Sequence, residues 1–262
     1  MAQGYSFKYF NVDFPSSSPY VAHVEINRAD KLNSFFEDMW LELRQVFDKL
    51  STDPSVRAIV LTGAGDKAFT AGLDVKAASQ GTLFEGGASD PARKAWGMRH
   101  HIVEFQDCIT AIERCEKPVI AALHGFSFGL AIDISSAADI RVCARDVKFA
   151  VKEGNYGWVK EVALTARTFG AEEALRVGLV NAVYENKARA VEEAFKLAAL
   201  IASKSPVAVQ GTKEILNYSR DHTVSEGLRY TAVWNSAALQ TTDVNSALLS
   251  GIQKRTPTFE KL

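Results

Sequence analysis

The chain has 262 residues, of which 47% are hydrophobic and 23% charged, a balance typical of a folded protein. Its formal net charge of −1 argues against a broadly basic surface, so neither nucleic acid nor an anionic membrane is expected as a partner. The three cysteines are few and odd in number and imply no disulfide framework, and no apolar run approaches the roughly 18–20 residues of a membrane span.

The first third of the chain predicts two strands, a helix and a third strand. Residues 5–12 and 20–26 are apolar or alternate on either side of "FPSSSPY", which is typical of a hairpin. Apolar residues then recur at helical spacing from about residue 34 to residue 51. "VRAIVLTGAG" predicts a buried strand that ends in a glycine turn, and residues 67–96 predict a loop with one helical turn.

The remaining elements alternate between strands and helices. A long amphipathic helix is predicted at about 93–115, followed by "KPVIAALHGFSFG", a strand that runs into a glycine loop. "LAIDISSAADI" predicts a helix, "IRVCAR" and "KFAVKE" predict strands, and everything after Trp158 except "LVNAVYE" reads as helix. Repeated strand–strand–helix units indicate an α/β core domain, placed at residues 1–200, with a helical region at 201–262.

Two junctions between strand and loop are alike: "IVLTGAGDKAFTAGLD" and "VIAALHGFSFGLAID". Each has an apolar strand, a loop of small residues and then an acid. Small residues let the backbone approach a ligand closely. Two such loops could direct two N–H groups at one oxygen, as in an oxyanion hole. Glycine loops after strands are common, so the spacing alone leaves this function open.

Longer segments carry a specific resemblance. "AFTAGLDVKA", "ERCEKPVIAALHGFSFGLAIDISSAADIRVCARDVKFAVKE" and "ALTARTFGAEEALRVGLVNAVYE" resemble the crotonase family of enoyl-CoA hydratases and isomerases. "FAVKE" and the segment from "KSPVAVQ" onward are most similar to dienoyl-CoA isomerases, which move a 3,5-diene of a fatty acyl-CoA into 2,4 conjugation. The resemblance implies a crotonase-type α/β spiral of β-β-α units. It also implies a C-terminal helical trimerisation region and a homotrimer or hexamer.

The resemblance also implies an oxyanion hole for an acyl-CoA thioester. Its two backbone N–H donors would be Leu73 and Leu130. The residues that would border the substrate are Ala71, Gly72, Leu73, Asp74, Val75, Gly129 and Leu130. Coenzyme A is part of the substrate, so no separate cofactor and no metal are expected. Family members usually have three glycines where this chain has Gly129-Leu130-Ala131, so a positive φ at Leu130 would introduce strain.

Asp133 and Glu153 stand where the family places acid–base carboxylates. Asp133 lies among apolar residues, and a buried acid there would be paired or have a raised pKa, either of which suits proton transfer. The resemblance makes Glu153 the principal proton-transfer residue and Asp133 its support. The structural alternatives are that Asp133 caps backbone N–H groups and that Glu153 pairs with Lys148 or Lys152.

One segment of the family pattern is absent. After Gly157, dienoyl-CoA isomerases carry about twenty further residues, enough for a helix of about 30 Å, and these include a catalytic aspartate. Either the recorded sequence lacks this segment or the chain is a genuine short variant. A short variant leaves two alternatives open: an enoyl-CoA hydratase that uses Asp133 and Glu153, or a catalytically impaired subunit that binds acyl-CoA.

The end of the chain bears on its compartment. The final residues Glu-Lys-Leu are similar to the peroxisomal Ser-Lys-Leu signal but carry Glu260 in place of serine. A peroxisomal location is therefore the expectation, with the mitochondrion or cytoplasm as alternatives.

Overall fold

The computed structural model describes residues 4–80, 90–150 and 157–262. Strands in these ranges are β1 (Phe10–Asp13), β2 (Val21–Ile26), β3 (Ala58–Gly63), β4 (Ala68–Thr70), β5 (Val119–Leu123), β6 (Phe126–Phe128), β7 (Ile140–Ala144), β8 (Lys148–Ala150), β9 (Thr168–Gly170) and β10 (Ala182–Tyr184). Helices are α1 (Glu37–Ser51), α2 (Val75–Gln80), α3 (Pro91–Arg114), α4 (Leu130–Ala137), α5 (Gly157–Thr165), α6 (Ala171–Arg176), α7 (Lys187–Ala202), α8 (Pro206–Arg220), α9 (Val224–Ala238) and α10 (Thr242–Gln253).

The main sheet has six strands in the order β1-β2-β3-β5-β7-β10. The predicted hairpin is confirmed: β1 and β2 are antiparallel, with Phe10 opposite Ile26. The remaining neighbours in this sheet are parallel. Central strands of a parallel sheet are covered on both faces and read as continuous apolar runs. The fully buried β3, "AIVLTG", has this character.

Alternate residues of the central strands face two different layers of helices. Ile59 and Leu61 of β3 belong to the larger core cluster, together with the apolar stripe of α1 that contains Leu43 and Phe47. Val60 points the other way, into a smaller cluster formed with α7. The buried residues of α7 are alanines at every fourth position: Ala190, Ala194, Ala198 and Ala202. Their small side chains let this helix lie close against the sheet.

A second, smaller sheet has the order β4-β6-β8-β9. The first three strands are parallel, and β9 pairs antiparallel with β8. Each of β4, β6 and β8 follows a strand of the main sheet and precedes a helix, so the predicted strand–strand–helix units are confirmed. Parallel β4 and β6 bring their two carboxyl-terminal ends to the same edge of this sheet.

Four predicted elements were wrong in detail. The helix expected from about residue 34 begins at Glu37, because Phe35 is extended and bridges Leu73. The stretches around Ala68–Thr70 and Phe126–Phe128, predicted as loops, are β4 and β6. Thr168–Gly170, predicted as helix, is β9, because it pairs with β8.

Helix α5 follows residues 151–156 and is held firmly against the core. Val162 is fully buried, and the Trp158 ring lies 4.9 Å from the Phe169 ring in an edge-on arrangement. Trp158 Nε1 also donates to Glu173 Oε1 at 2.8 Å. Hydrogen bonds from the Arg167 guanidinium, followed by the one from Trp158, lower the pKa of the Glu173 carboxyl to about 2. These contacts fix α5 independently of the connection that precedes it.

Helices α8, α9 and α10 form the carboxyl-terminal part of the chain. The predicted domain boundary between residues 200 and 201 falls in the last turn of α7, and it stays a prediction. No helix in the described ranges is both long and apolar enough to cross a membrane.

Candidate functional site

Two glycine loops meet beside the second sheet: the first glycine loop, residues 70–74, and the second glycine loop, residues 128–131. Gly72 has a φ of +95°. A β-carbon added at Gly72 would lie 2.9 Å from the carbonyl oxygen of Phe128 and 3.7 Å from the amide nitrogen of Leu130. Glycine is therefore needed at position 72, both for its backbone conformation and for this close approach. The loops predicted to act together are in contact.

The direction of the Leu73 N–H follows from two neighbouring hydrogen bonds. Phe35 N donates to Gly72 O, and Asp74 N donates to Phe35 O, each at 2.8 Å. In a parallel bridge of this kind, the middle residue turns its own N–H away from the partner strand. The trans peptide also sets the Leu73 N–H opposite to the Gly72 carbonyl. In the described part of the chain, no group accepts a hydrogen bond from Leu73 N.

Leu130 opens helix α4, so its N–H belongs to the first turn, whose N–H groups lack intrahelical acceptors. The left-handed conformation falls on Gly129, with φ +52°, and Leu130 is absent from the positive-φ residues of the described ranges. The expected strain at Leu130 is therefore not found, because the glycine before it makes the turn. Gly129 N donates to Ala150 O at 3.1 Å, which ties this loop to the end of β8.

The Asp74 and Val75 side chains do not lie with the Leu73 and Leu130 N–H groups. Asp74 Oδ2 accepts from Arg28 Nη1 at 2.9 Å, and Oδ1 accepts from Lys76 N and Ala77 N at 3.1 and 3.2 Å. The bond from the Arg28 guanidinium, followed by that from the Ala77 amide, holds the pKa of the Asp74 carboxyl below its usual range. Asp74 thus caps the start of α2, while the Val75 side chain is 78% exposed.

Of the two candidate carboxylates, Asp133 lies within the described residues and Glu153 does not. Asp133 lies one turn after Leu130 on α4, and its side chain is exposed, so the expectation of a buried acid was wrong. Its neighbours Ile132 and Ile134 point in other directions around the helix. The cap position of α4 is Gly129, which disfavours the alternative role of Asp133 as a cap. Glu153 lies outside the described residues, three positions after the end of β8.

Two residues that the sequence did not single out hold the first glycine loop. Thr70 Oγ1 donates to Asn33 O at 2.7 Å and accepts from Gly72 N at 3.1 Å. The fully buried Asn33 side chain donates from Nδ2 to Ala64 O and Ala68 O, at 2.9 and 3.0 Å. Its Oδ1 accepts from Arg28 N at 3.0 Å. A polar residue in "KLNS" predicts a surface turn, so no local signal indicated this role.

The predicted substrate-bordering residue Ala71 belongs to the same framework. Its N–H donates to Leu32 O at 2.9 Å, next to the bonds made by Asn33 and Phe35. Residues 32–35, here called the template segment, therefore accompany the first glycine loop along its whole length. Among the described residues, no group of three or more His, Cys, Asp or Glu side chains is arranged to hold a metal ion.

Comparison with known proteins gives the family of the chain. The model of the enoyl-CoA hydratase/isomerase family matches residues 17–261. The mouse mitochondrial Delta(3,5)-Delta(2,4)-dienoyl-CoA isomerase is 41% identical to the chain over 276 positions, covering 97% of the chain and 84% of that protein. The Arabidopsis thaliana peroxisomal enzyme of the same name is 37% identical, covering 98% of the chain and 99% of its own length. The chain belongs to the enoyl-CoA hydratase/isomerase family.

A solved structure confirms the fold. The chain superimposes on an enoyl-CoA hydratase from Bacillus anthracis with a TM-score of 0.84 and 27% identity, over 97% of the chain and 99% of the other. The predicted crotonase-type α/β fold is therefore confirmed, and the chain is an enzyme of this family. The relatives named above support an isomerase role within it.

The alignment with the mouse relative also bears on the absent segment. It extends over 276 positions, whereas the whole chain has 262 residues. At least 14 positions of the alignment, the difference between these numbers, therefore have no counterpart in this chain. This agrees with the prediction that the chain lacks part of the family pattern.

Proposed function

We propose that the chain is a dienoyl-CoA isomerase that converts 3,5-dienoyl-CoA into 2,4-dienoyl-CoA through an enolate of the thioester. The observation that carries the proposal is the contact between the two glycine loops at Gly72 and Leu130. Each loop presents a backbone N–H that no described group accepts. The names of the mouse and Arabidopsis relatives supply the reaction.

The two amides would act on the thioester oxygen. When a base removes a proton from C2, negative charge moves onto this oxygen, so N–H donors stabilise the enolate more than the substrate. Leu73 N–H and Leu130 N–H would be these donors, and the Leu130 donor has the added benefit of the positive end of α4. Loss of one such donor typically raises a barrier by about 3–4 kcal/mol. Ala71, Gly72 and Gly129 would border the thioester.

The proton shift would depend on carboxylates. The C2 proton leaves as the dienolate forms, and a proton is then delivered to C6, which leaves double bonds at C2–C3 and C4–C5. We assign the principal proton transfer to Glu153 and a supporting role to Asp133. Asp133 is exposed and lies one turn after Leu130, a proposed oxyanion donor. This position supports a role for Asp133 on the solvent side of the site.

Hydration is the second candidate reaction. The relatives carry residues that this chain lacks, and a shorter chain leaves fewer groups to exclude water from the acyl end of the site. Two carboxylates beside a conjugated thioester can activate a water molecule. The likeness to the Bacillus anthracis enoyl-CoA hydratase favours the same alternative. A third outcome is a subunit that binds acyl-CoA without turnover.

One assay separates these candidates. Protein with an intact mass of 28.6 kDa is given 3,5-dienoyl-CoA, and growth of the 2,4-dienoyl absorbance is followed. A parallel reaction contains 2-enoyl-CoA and follows loss of the enoyl absorbance by hydration. An excess mass of about 2 kDa, the weight of about twenty residues of helix-forming sequence, would mean that the protein contains the absent segment.

Matched variants assign the carboxylates. Glu153→Gln should abolish isomerisation, and Asp133→Asn should slow it by about a hundredfold, the lower end of what a positioned acid or base contributes. Glu172→Gln, at an exposed carboxylate on α6, should behave like the wild type. Turnover only with 2-enoyl-CoA would replace isomerisation by hydration. Thioester binding without turnover in either reaction would leave a binding subunit.

We further propose that copies of the chain associate as a homotrimer or hexamer through the carboxyl-terminal helices. The support is their exposed apolar side chains, which include Val224, Leu228 and Ile252, exposed by 81, 66 and 80%. Light scattering should give three or six times 28.6 kDa, and a monomer at micromolar concentration would contradict this. The relatives are named as mitochondrial or peroxisomal, and we propose the peroxisome first for this chain.

A further inference from the structure

The glycine in the first glycine loop favours a flexible backbone, yet hydrogen bonds hold this loop in place. Gly72 lies at its centre, and glycine has the softest backbone torsions of any residue. The peptide plane between Gly72 and Leu73 carries the Leu73 N–H. If that plane rotated, the Gly72 carbonyl oxygen would take the place of the N–H and repel a developing oxyanion. The loop therefore needs a device that fixes the planes on both sides of Gly72.

The structure contains one hydrogen bond to each of these planes. On one side, Phe35 N donates to the Gly72 carbonyl at 2.8 Å. On the other side, the Gly72 N–H donates to Thr70 Oγ1 at 3.1 Å. Both partners belong to or rest on the template segment, because Thr70 Oγ1 donates in turn to Asn33 O at 2.7 Å. The Thr70 hydroxyl thus joins the loop to the template.

We propose that Thr70 is a positioning residue that keeps the Leu73 N–H directed at the thioester oxygen, and that Asn33 anchors it. The inference rests on the proposed use of Leu73 as an oxyanion donor. Thr70 itself is fully buried and does not reach the substrate. Its hydroxyl accepts the hydrogen bond of a loop amide and donates to a backbone carbonyl, and a hydroxyl group can do both at once.

Asn33 is suited to the anchoring role by its own chemistry. Its backbone has a φ of +55°, a conformation that asparagine tolerates better than most residues. Its amide group donates to Ala64 O and Ala68 O and accepts from Arg28 N. An aspartate at this position would place a carboxylate oxygen, in place of Nδ2, against the carbonyl oxygens of Ala64 and Ala68. That contact is unfavourable in a buried site. Three hydrogen bonds thus hold the Asn33 side chain, and they fix the residue whose backbone carbonyl receives the Thr70 hydroxyl.

The test compares three threonine variants. Thr70→Val removes the hydroxyl while keeping the branched shape, and Thr70→Ser keeps the hydroxyl. Thr62→Val is the matched control, because Thr62 is equally buried on β3 and its Oγ1 lies 2.8 Å from His23 Nε2, in a separate contact. Should Thr70→Val fail to fold, Thr70→Ala removes the same hydroxyl without any added bulk.

The readout is the enolate itself. Acetoacetyl-CoA ionises to an enolate that carries charge on its thioester oxygen, whereas butyryl-CoA, with the same chain length, stays neutral. An oxyanion hole should favour bound enolate, which is visible as growth of the enolate absorbance at neutral pH. Thr70→Val should reduce the preference for acetoacetyl-CoA over butyryl-CoA by about tenfold or more, since a partly misdirected donor loses part of the stabilisation that a well-directed one supplies.

In dienoyl-CoA turnover the same variant should lower kcat about tenfold and leave KM within about twofold, because the interaction strengthens only in the transition state. Thr70→Ser and Thr62→Val should resemble the wild type in both measurements. Wild-type enolate preference in Thr70→Val, or an equal loss in Thr62→Val, overturns the proposal. If the wild-type protein shows the enolate preference but no isomerisation, the positioning role stands and the proposed reaction fails. If it lacks the preference, both fail.

Discussion

The sheet core and the carboxyl-terminal helices differ in which side chains they bury. In the core, the large apolar side chains are the buried ones, as with Phe35, Phe47, Phe69 and Phe149. In helices α8 to α10, the buried residues are mostly small or polar. They are Pro206, Gly211, Lys213, Gly227, Asp243 and Ser250. Many large apolar side chains of these helices are exposed, among them Leu216, Leu228 and Leu248. The core is therefore stabilised by its own burial, whereas the helices depend on a few specific contacts.

Those contacts are of two kinds. The Lys213 ammonium is buried and donates to Asp139 Oδ2 at 2.8 Å and to Lys117 O at 3.1 Å, which joins α8 to the sheet. Helices α8 and α9 are joined by aromatic rings, with Tyr218 stacked on Tyr230 at 4.1 Å. Polar anchors specify where an element docks but contribute little net free energy of folding. An element held in this way suits a surface that gains its remaining stability from partner copies.

The largest expected effect comes from making the same substitution in both regions. Leu43 on α1 is fully buried, and Leu228 on α9 is 66% exposed. Leu43→Ala should lower the free energy of unfolding by about 2–5 kcal/mol, since it leaves a cavity, and Leu228→Ala by less than about 0.5 kcal/mol in the monomer. Urea denaturation at several protein concentrations measures both. A loss in Leu228→Ala that grows with protein concentration would mean that a partner copy covers this side chain.

The next effect is a dependence of core stability on pH. His124 is buried, with Nε2 2.9 Å from Gly65 O. Burial, helped by the nearby Lys187 ammonium, lowers the pKa of His124 from 6.5 to about 4. Between these two pKa values, His124 binds a proton in the unfolded chain but not in the folded chain. The free energy of unfolding should therefore decrease as the pH drops from 6.5 to 4. The full effect is about 3 kcal/mol.

Matched histidine variants test this pH dependence. His124→Gln keeps a donor near Gly65 O and should flatten the profile. His222→Gln, at an exposed position between α8 and α9, should leave the profile unchanged. An equally steep profile in His124→Gln would assign the pH dependence to other groups.

A smaller effect is expected at the junction between the two regions. Lys213→Met should lower the free energy of unfolding by about 2 kcal/mol, the scale of hydrogen bonds that involve a charged group. Lys204→Met changes an exposed lysine next to α8 and should have no measurable effect. Thermal unfolding distinguishes the two variants. Equal behaviour would mean that α8 does not depend on its buried ammonium.

The smallest effect concerns the end of the chain. Arg57 lies before β3, stacks on the Tyr20 ring at 4.1 Å, and donates from Nη2 to Phe259 O and Glu260 O at 2.7 and 3.1 Å. Arg57→Met should destabilise this attachment by about 1 kcal/mol, which corresponds to about fivefold faster cleavage by trypsin after Lys254. Arg145→Met, at an exposed arginine, serves as the control. Unchanged cleavage would show that other contacts hold the tail.

Sequence patterns predicted the elements whose signals are local and repeated. The stripe of α1 and the continuous apolar run of β3 are examples, since each is stabilised by a long row of similar contacts. The three-residue strands β4, β6 and β9 were not predicted. So short a strand has no period of its own and exists because a neighbouring strand pairs with it. The two glycine loops were predicted from their small residues and from the family resemblance.

Within the candidate site, the sequence indicated the backbone groups better than the side chains. Asp133 was expected to be buried because its sequence neighbours are apolar, but residues adjacent in a helix point about 100° apart, so apolar neighbours do not bury it. Asn33 and Thr70 look like surface residues by composition. Their burial follows only from the meeting of the template segment with the first glycine loop, a contact between distant parts of the chain.

The firm docking of α5 has a consequence for how this enzyme could change. Strand β8 ends at Ala150 and α5 begins at Gly157, and contacts made by Trp158 and Val162 fix α5. Lengthening the connection between Ala150 and Trp158 from seven residues to about twenty-seven costs only about 1 kcal/mol in loop entropy. The stretch between Ala150 and Trp158 is thus a position at which a segment can be gained or lost while the contacts at both ends stay in place. A change in length there would leave the contact between the two glycine loops, and with it the Leu73 and Leu130 amides, in place.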